Sequence, residues 1–475
     1  MPASSERSRP EIATLDRADP EAVLLWLAHL GDGPPPAKRV NAFCKKIAGR
    51  PDRPAVIARL VAAVTAGDCT SNEALLLILT LLSRARDHGL ALDLTAPLVD
   101  RPGESESAAA IRASATALRG QSLLLSGCDE AAMAHVGRHA AMLCRSRAGR
   151  ALLSWRAWKA GDMAECARHF RASNHKQLPV LGMRDPDLSP RSGRAVPQGS
   201  IKVLTTTYNE IELIAQFLRH YREAGPAHFL VVDNGSTDGT AEFLADQPDV
   251  TLYTTPESFG RSGFGSSWVN ALLRRHTRDT ELCIRVDADE FLVHGGPGGL
   301  ADFLSACNAE AADIVAGVLV DMFPADPSYS APSARDPGER TLAEAVWFDA
   351  DIRTEPALFP PYRIDRGGFR ARVFQTTTNL TKSPIIRGGG QVLYLNANHG
   401  TTPGRIAQRR CALLHYKLTP GSRSRYVEQI ARGEHHGAGV RYRKFLRLIG
   451  RRGDIVADVS RKYAGPADLE AAGLL

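Results

Sequence analysis

Three carboxylates fall within four residues at Asp287-Ala288-Asp289-Glu290, directly after the strand-like stretch Leu282 to Val286. Negative charge at the end of a buried strand is costly unless a cation or hydrogen-bond donors compensate it. Hard divalent cations such as Mn²⁺ or Mg²⁺ take oxygen ligands of this kind, so Asp287, Asp289 and Glu290 are candidate metal ligands. Two more polar clusters sit at equivalent places. Thr205-Thr206-Thr207-Tyr208-Asn209-Glu210 closes the apolar run from Ile201, and Asp233-Asn234-Gly235-Ser236-Thr237-Asp238-Gly239 closes His228 to Val232. Taken singly, the second cluster reads as a turn and helix cap.

The elements that position these clusters alternate. Ile201 to Thr206 reads as a strand. Asn209 to Ala224 reads as a helix capped by Asn209 and stopped by Gly225, with Ile211, Ile214, Phe217, Leu218 and Tyr221 on one face. Strands at His228–Val232, Val250–Tyr253, Leu282–Val286 and Ile314–Val320 are interleaved with helices at Asp238–Asp246, near Ser267–Arg275 and near Leu300–Asn308. Continuous apolar strands alternating with helices predict an α/β fold with a mostly parallel sheet covered on both faces. Such sheets bind ligands at the carboxyl ends of their strands, where all three clusters fall, which argues for one composite site.

Around this unit, residues 1–184 are rich in Ala, Leu and Arg at helical spacing and read as an all-α domain. Gly127 and Gly161 lie thirty-four positions apart between helix-like segments, the period of tetratricopeptide-like hairpins. Residues 185–200 gather Pro, Gly and Ser as a linker, 201–422 hold the α/β domain, and 423–475 form an Arg-rich helical tail. Pro324 to Arg340 reads as a long loop, either a lid or a plain insertion.

The segments TTTYNE, VVDNGSTDGT and RVDADEFLV, in this order and spacing, resemble the glycosyltransferases of family 2 and the related family 92 over roughly residues 201–420. The resemblance implies the type-A, Rossmann-like fold and transfer of a sugar from a nucleotide-diphosphate sugar to a hydroxyl acceptor of glycan or polysaccharide type, with inversion. It implies that Thr206, Thr207, Tyr208, Asn209, Glu210, Asp233 and Asn234 hold the base and ribose, with Asp287 facing the ribose or sugar and Asp289 binding the metal. By the same resemblance His415, in a His-Tyr-Lys segment, and His399 are candidates for a further metal ligand, while Glu290 has no assigned role. Arg261, in the Gly-Ser loop Phe259 to Ser267, is a candidate phosphate contact; Lys382 and Arg370 are either phosphate contacts or surface charges. Inversion requires a base for the acceptor hydroxyl. Asp321, after the Ile314 strand, and Asp365 are the candidates.

Two other readings stay open: a non-catalytic nucleotide-sugar-binding or scaffold protein whose helical half docks a protein partner, and a metal-dependent nucleotidyltransferase or phosphohydrolase. The net charge of +7 is spread over scattered arginines, without the interleaved aromatics of single-strand binders, so nucleic acid is not an expected partner. The eight cysteines show no paired spacing and read as buried free thiols of a reducing compartment. His435 and His436 read as surface residues. No segment approaches the roughly 20 apolar residues of a membrane span. The expected location is cytoplasmic, with any membrane contact peripheral.

Overall fold

The computed structural model describes residues 23–24, 26–27, 30, 37–48, 50, 52–66, 71–102, 105–173, 178–331, 333–434, 440–450 and 455–475. Cys69, His435 and His436 lie outside them. The chain divides into two units, Met1–Ser173 and Asn174–Leu475. No helix among the described residues is long and apolar enough to cross a membrane.

The first unit is helical, from Ala37–Ala48 through Met163–Ala172. Its two glycine corners close alike: Cys128 N donates to Leu123 O and Asp162 N to Ala157 O, each at 2.9 Å, the 6→1 bond of a helix C-terminus.

Among its described residues the second unit has thirteen strands: β1 (Ser189–Pro190), β2 (Ile201–Thr207), β3 (Ala227–Asp233), β4 (Val250–Thr254), β5 (Leu282–Arg285), β6 (Glu290–His294), β7 (Ile314–Asp321), β8 (Trp347–Asp349), β9 (Ile352–Pro356), β10 (Arg363–Gly367), β11 (Thr381–Arg387), β12 (Cys411–His415) and β13 (Ser460–Lys462). Nine form one sheet in the order β1-β4-β3-β2-β5-β11-β7-β12-β6, and six of them, β2, β3, β4, β5, β7 and β12, run the same way. Strands β2 and β3 are buried on both faces; Phe229–Val232 of β3 is an unbroken apolar run, while in β2 the buried Lys202 pairs with Glu281 at 2.6 Å. Val203, Phe229 and Val231 pack under the Ile214–Ala224 helix on one side. Leu204, Leu230 and Val232 meet Trp268 of the Ser266–His276 helix on the other.

Several local readings change. The helix after β2 starts at Ile214 rather than Asn209, and Ile211 is exposed. Asn209 is no cap: it takes a left-handed turn (φ 54°), and its amide serves long-range contacts described below. The loop from Pro324 stops short of Arg340, because Asp336 accepts from Gly338 N and Glu339 N and caps a helix at Pro337–Glu344. The linker stretch lies along β4: Ser189–Pro190 pair with it, Arg191 N and Ser192 N donate to Leu252 O, and Ser192 Oγ meets Val250 O. At the opposite edge, Tyr221 OH donates to Glu290 O and accepts from Leu292 N (both 3.1 Å), and His220 Nε2 bonds Leu292 O. The tail is not wholly helical, since β13 pairs with β8.

Cys44, Cys166, Cys283, Cys307 and Cys411 are buried and in no disulfide; Cys144 is half-buried and Cys128 exposed.

Candidate active site

Strand β5 lies mid-sheet and β6 at the edge, so the few residues joining them must cross the ends of β11, β7 and β12. Those few residues are the acidic stretch, and this crossing decides which groups each carboxylate meets.

Asp287 comes first. Arg285 Nη1, fully buried at the end of β5, donates to its Oδ1 at 2.6 Å, and Lys382 Nζ from β11 stands 3.8 Å from Oδ2. Burial opposes its charge, but Arg285, Lys382 and Lys417 prevail, and Asp287 titrates far below the usual carboxylate range. Lys382 reaches this point because β11 bulges between Lys382 and Ile385, around Pro384, which has no N–H for the ladder. Gly317 opposite makes room: a Cβ there would stand 2.9 Å from Pro384 Cγ.

Asp289 crosses next, above β12. His415 Nε2 lies 3.8 Å from its Oδ2, and the Lys417 ammonium pairs with the same oxygen. Burial raises the cost of its charge, yet Lys417 and His415 hold Asp289 below the ordinary value. Behind His415, the parallel register of β12 and β7 sets His415 opposite Asp321, whose Oδ1 is 2.6 Å from Nδ1. Arg370 Nε occupies the other oxygen at 2.6 Å. Against the cost of burial, Arg370 and His415 keep Asp321 at about 2, so it is an ionised acceptor and His415 Nδ1–H must donate to it. His415 Nε2 is thereby turned toward Asp289.

Glu290 opens β6 and faces inward. Its Oε1 is 2.8 Å from Lys382 Nζ, and its Oε2 accepts from Asp287 N (3.1 Å) and Asn398 Nδ2 (3.0 Å). Glu290 therefore closes the acidic turn and is not turned outward as a ligand. Among the described residues no three His, Cys, Asp or Glu side chains are gathered as a metal site. Of the five candidate ligands, Asp289 and His415 face one another. They stand 3.8 Å apart, and neighbouring donors of a six-coordinate cation at about 2.1 Å are about 3.0 Å apart, so a cation held by both would draw them closer. His399 turns its Nδ1 to Thr381 O at 2.9 Å, and burial, aided by Lys382, holds it well below the usual histidine range.

The clusters after β2 and β3 meet directly, Thr207 being the register partner of Asp233. Asp233 is consumed by its own loop: Oδ2 accepts from Gly235 N and Ser236 N, both at 3.0 Å, and Oδ1 from Ser236 Oγ and Thr207 Oγ1. Half-buried Thr206 packs against Gly265. Glu210 pairs with Arg425 at 3.1 Å; burial, with Asp289 and Asp287 adding to it, pushes Glu210 up to about 7 despite Arg425. Asn234 Nδ2 donates to Thr255 O and Glu257 O. Arg261 is exposed.

Neither candidate base is free to take a proton. Asp321 is engaged on both oxygens, and so is Asp365, by Thr354 Oγ1 (2.6 Å), Arg363 Nη2 (2.7 Å) and Thr381 Oγ1 (3.0 Å). Asp365 pins the β9–β10 hairpin to β11 and has no contact with the acidic stretch.

Several site residues escaped the sequence reading: Arg285, Asn398, Lys417, and Arg425, Glu428 and Arg432 of the tail helix Ser422–Arg432. Glu428 Oε1 accepts from Tyr208 OH (2.8 Å) and Asn209 Nδ2 (2.6 Å), and Asn209 Oδ1 accepts from Thr237 N. Arg425, Glu428 and Arg432 stand at i, i+3 and i+7, one helical face, a signal present in the sequence that says nothing of what the face covers.

Residues 202–371 match the sequence model of glycosyl transferase family 2. A 47-residue segment is 51% identical to glycosyltransferase AglJ of Haloferax volcanii, covering 10% of this chain and 16% of that relative. The shared segment is thus under a fifth of the relative's length.

Proposed function

With residues 202–371 forming a family 2 glycosyltransferase domain, we propose that this chain transfers a sugar from a nucleoside-diphosphate donor to a hydroxyl acceptor, with a divalent cation at the Asp289–His415 pair. The observation that carries this reading is the alignment Arg370–Asp321–His415–Asp289, which fixes an imidazole nitrogen facing a buried carboxylate beside the three donor-side loops.

Asp289 and His415 would hold Mn²⁺ or Mg²⁺, with Asp321 orienting the imidazole. When bound, such a cation neutralises charge that develops on the departing diphosphate. The remaining work falls to the chain's own residues. Glu210, Asp287, Asp289, Glu290 and Asp321 already face Arg425, Arg285, Lys417, Lys382 and Arg370 respectively. An incoming diphosphate therefore calls for added positive charge, as a bound cation would bring. Tyr208, Asn209 and Asn234 line the nucleoside side, and Lys382 and Lys417 flank the point where the sugar–phosphate bond would break. The free buried thiols suit a cytoplasmic, reducing setting.

The test is a panel of UDP-, GDP- and dTDP-sugars with Mn²⁺, followed by nucleoside diphosphate release. The expected outcome is release that falls at least a hundredfold in Asp289→Asn, the scale of losing a metal-ligating or electrostatic group. Monophosphate or pyrophosphate as product overturns the reading. A second reading, donor binding without transfer, draws on the full engagement of Asp321 and Asp365; it predicts binding by calorimetry and no release with any acceptor.

A further inference from the structure

The helix Ser422–Arg432 and the residues just after it lie beyond the family-matched segment, yet they touch the loops after β2 and β3 and the Gly-Ser loop. Arg425 pairs with Glu210, and Glu428 accepts from Tyr208 OH and Asn209 Nδ2. Glu434 Oε2 accepts from Ser258 Oγ (2.6 Å) and Gly260 N (2.9 Å), at the start of the Gly-Ser loop. Arg432 makes the most telling contact. Its guanidinium carbon stands 3.6 Å from the centroid of the Tyr208 ring, and the same side chain donates to Asn234 Oδ1 and to Asn234 O (3.3 Å).

A guanidinium is flat, delocalised and rich in donors, the properties by which a nucleobase stacks on an aromatic face and bonds at its edge. At 3.6 Å the stack is closed, and no second planar group fits between Arg432 and the ring. Resting on the donor reading above, we propose that Arg432 occupies the nucleobase position on Tyr208 and Asn234, so that the donor enters by displacing it and the Ser422–Glu434 segment gates the nucleotide half of the site. Glu428 keeps its hold on Tyr208 and Asn209 from the same helical face and sets where the segment returns. The gate discriminates as well as occludes: a ligand must offer a planar group that stacks on Tyr208 at least as well as the guanidinium does. A sugar phosphate lacking a base cannot do this.

The experiment compares the full-length chain with Arg432→Ala, measuring UDP, GDP and dTDP binding by calorimetry with Mn²⁺ present, together with amide hydrogen exchange over residues 422–434. Losing a stacked, hydrogen-bonded competitor should tighten nucleotide binding in Arg432→Ala by roughly tenfold to a hundredfold. In the unsubstituted chain, bound nucleotide should speed exchange across the segment. Equal or weaker binding by Arg432→Ala overturns the gate while leaving the donor reading intact, because nucleotide still binds. Greater protection of residues 422–434 on nucleotide binding also overturns it, since it would mean that Arg432 closes over the base. Failure of both chains to bind any of the three nucleotides removes the gate and the donor reading together.

Discussion

Replacing Asp321 by asparagine separates a residue that orients from one that takes a proton. Its carboxylate is depressed from an ordinary 3.8 to about 2, a difference of nearly two units, worth about 2 to 3 kcal/mol at 1.36 kcal/mol per unit. Because the folded-state value is lowered, this stabilisation is complete above pH of about 4 and is lost as the pH falls through about 2. Asp321→Asn also leaves Arg370 buried beside a neutral amide, and breaking a buried pair costs roughly 3 to 5 kcal/mol. We therefore expect the α/β unit to lose about 2 to 5 kcal/mol at pH 7, and to lose less additional stability than the parent between pH 4 and pH 2. Urea unfolding followed by a probe within the α/β unit measures this without assuming that both units melt together. The amide can turn either its oxygen or its nitrogen toward His415 Nδ1, so Nε2 is no longer fixed toward Asp289. Mn²⁺ affinity, read by titration under paramagnetic resonance, should fall roughly 10- to 100-fold. Unchanged stability and Mn²⁺ affinity with lost turnover would refute the reasoning and return Asp321 to the role of proton acceptor.

Two further outcomes follow from the donor-side loops. Glu210, raised to about 7 by burial, gains its negative charge as the pH rises through that value, beside the place assigned to an anionic diphosphate. Nucleoside diphosphate affinity should accordingly weaken between pH 6 and 8 in calorimetry, and that slope should flatten in Glu210→Gln; an unaltered slope sinks the assignment. Gly265 has φ +79° and a hypothetical Cβ 2.9 Å from Thr206 Cγ2, so Gly265→Ala combines left-handed strain with a clash. A loss of about 1 to 3 kcal/mol is expected in thermal or urea unfolding of the unit, and no measurable loss would show that the loop relaxes freely.

What could be read in the sequence was whatever depends on neighbours along the chain. The strands Ala227–Asp233 and Ile314–Asp321 announced themselves because burial on both faces leaves the apolar runs Phe229–Val232 and Ile314–Val320, and Ile201–Thr207 by its β-branched and apolar residues around Lys202. The three polar clusters fell where such strands end. Glu290 could not be understood that way: its partners, Lys382 and Asn398, come from β11 and the segment after it, and only the crossing from β5 to β6 brings them together. Asp321 was noticed for its place at a strand end, but its pairing with His415 depends on β12 lying beside β7, a register with no local signal. The tail was legible as an Arg-rich helix, while its contact with Tyr208 was not, because helical spacing reveals a face and never its partner.

The two borders of the nine-stranded sheet carry a consequence for the protein in crowded solution. Open strand borders are templates on which another polypeptide can add itself. Here Ser189–Ser192 runs along β4 and saturates Leu252 O, while Pro190 itself has no N–H to offer. At the far border, Tyr221 and His220 spend their ring-borne polar atoms on the backbone of Glu290 and Leu292. Neither border presents a ready ladder to an extended strand, so the sheet is guarded against fibrous self-association by a short stretch of chain on one side and two aromatic rings on the other.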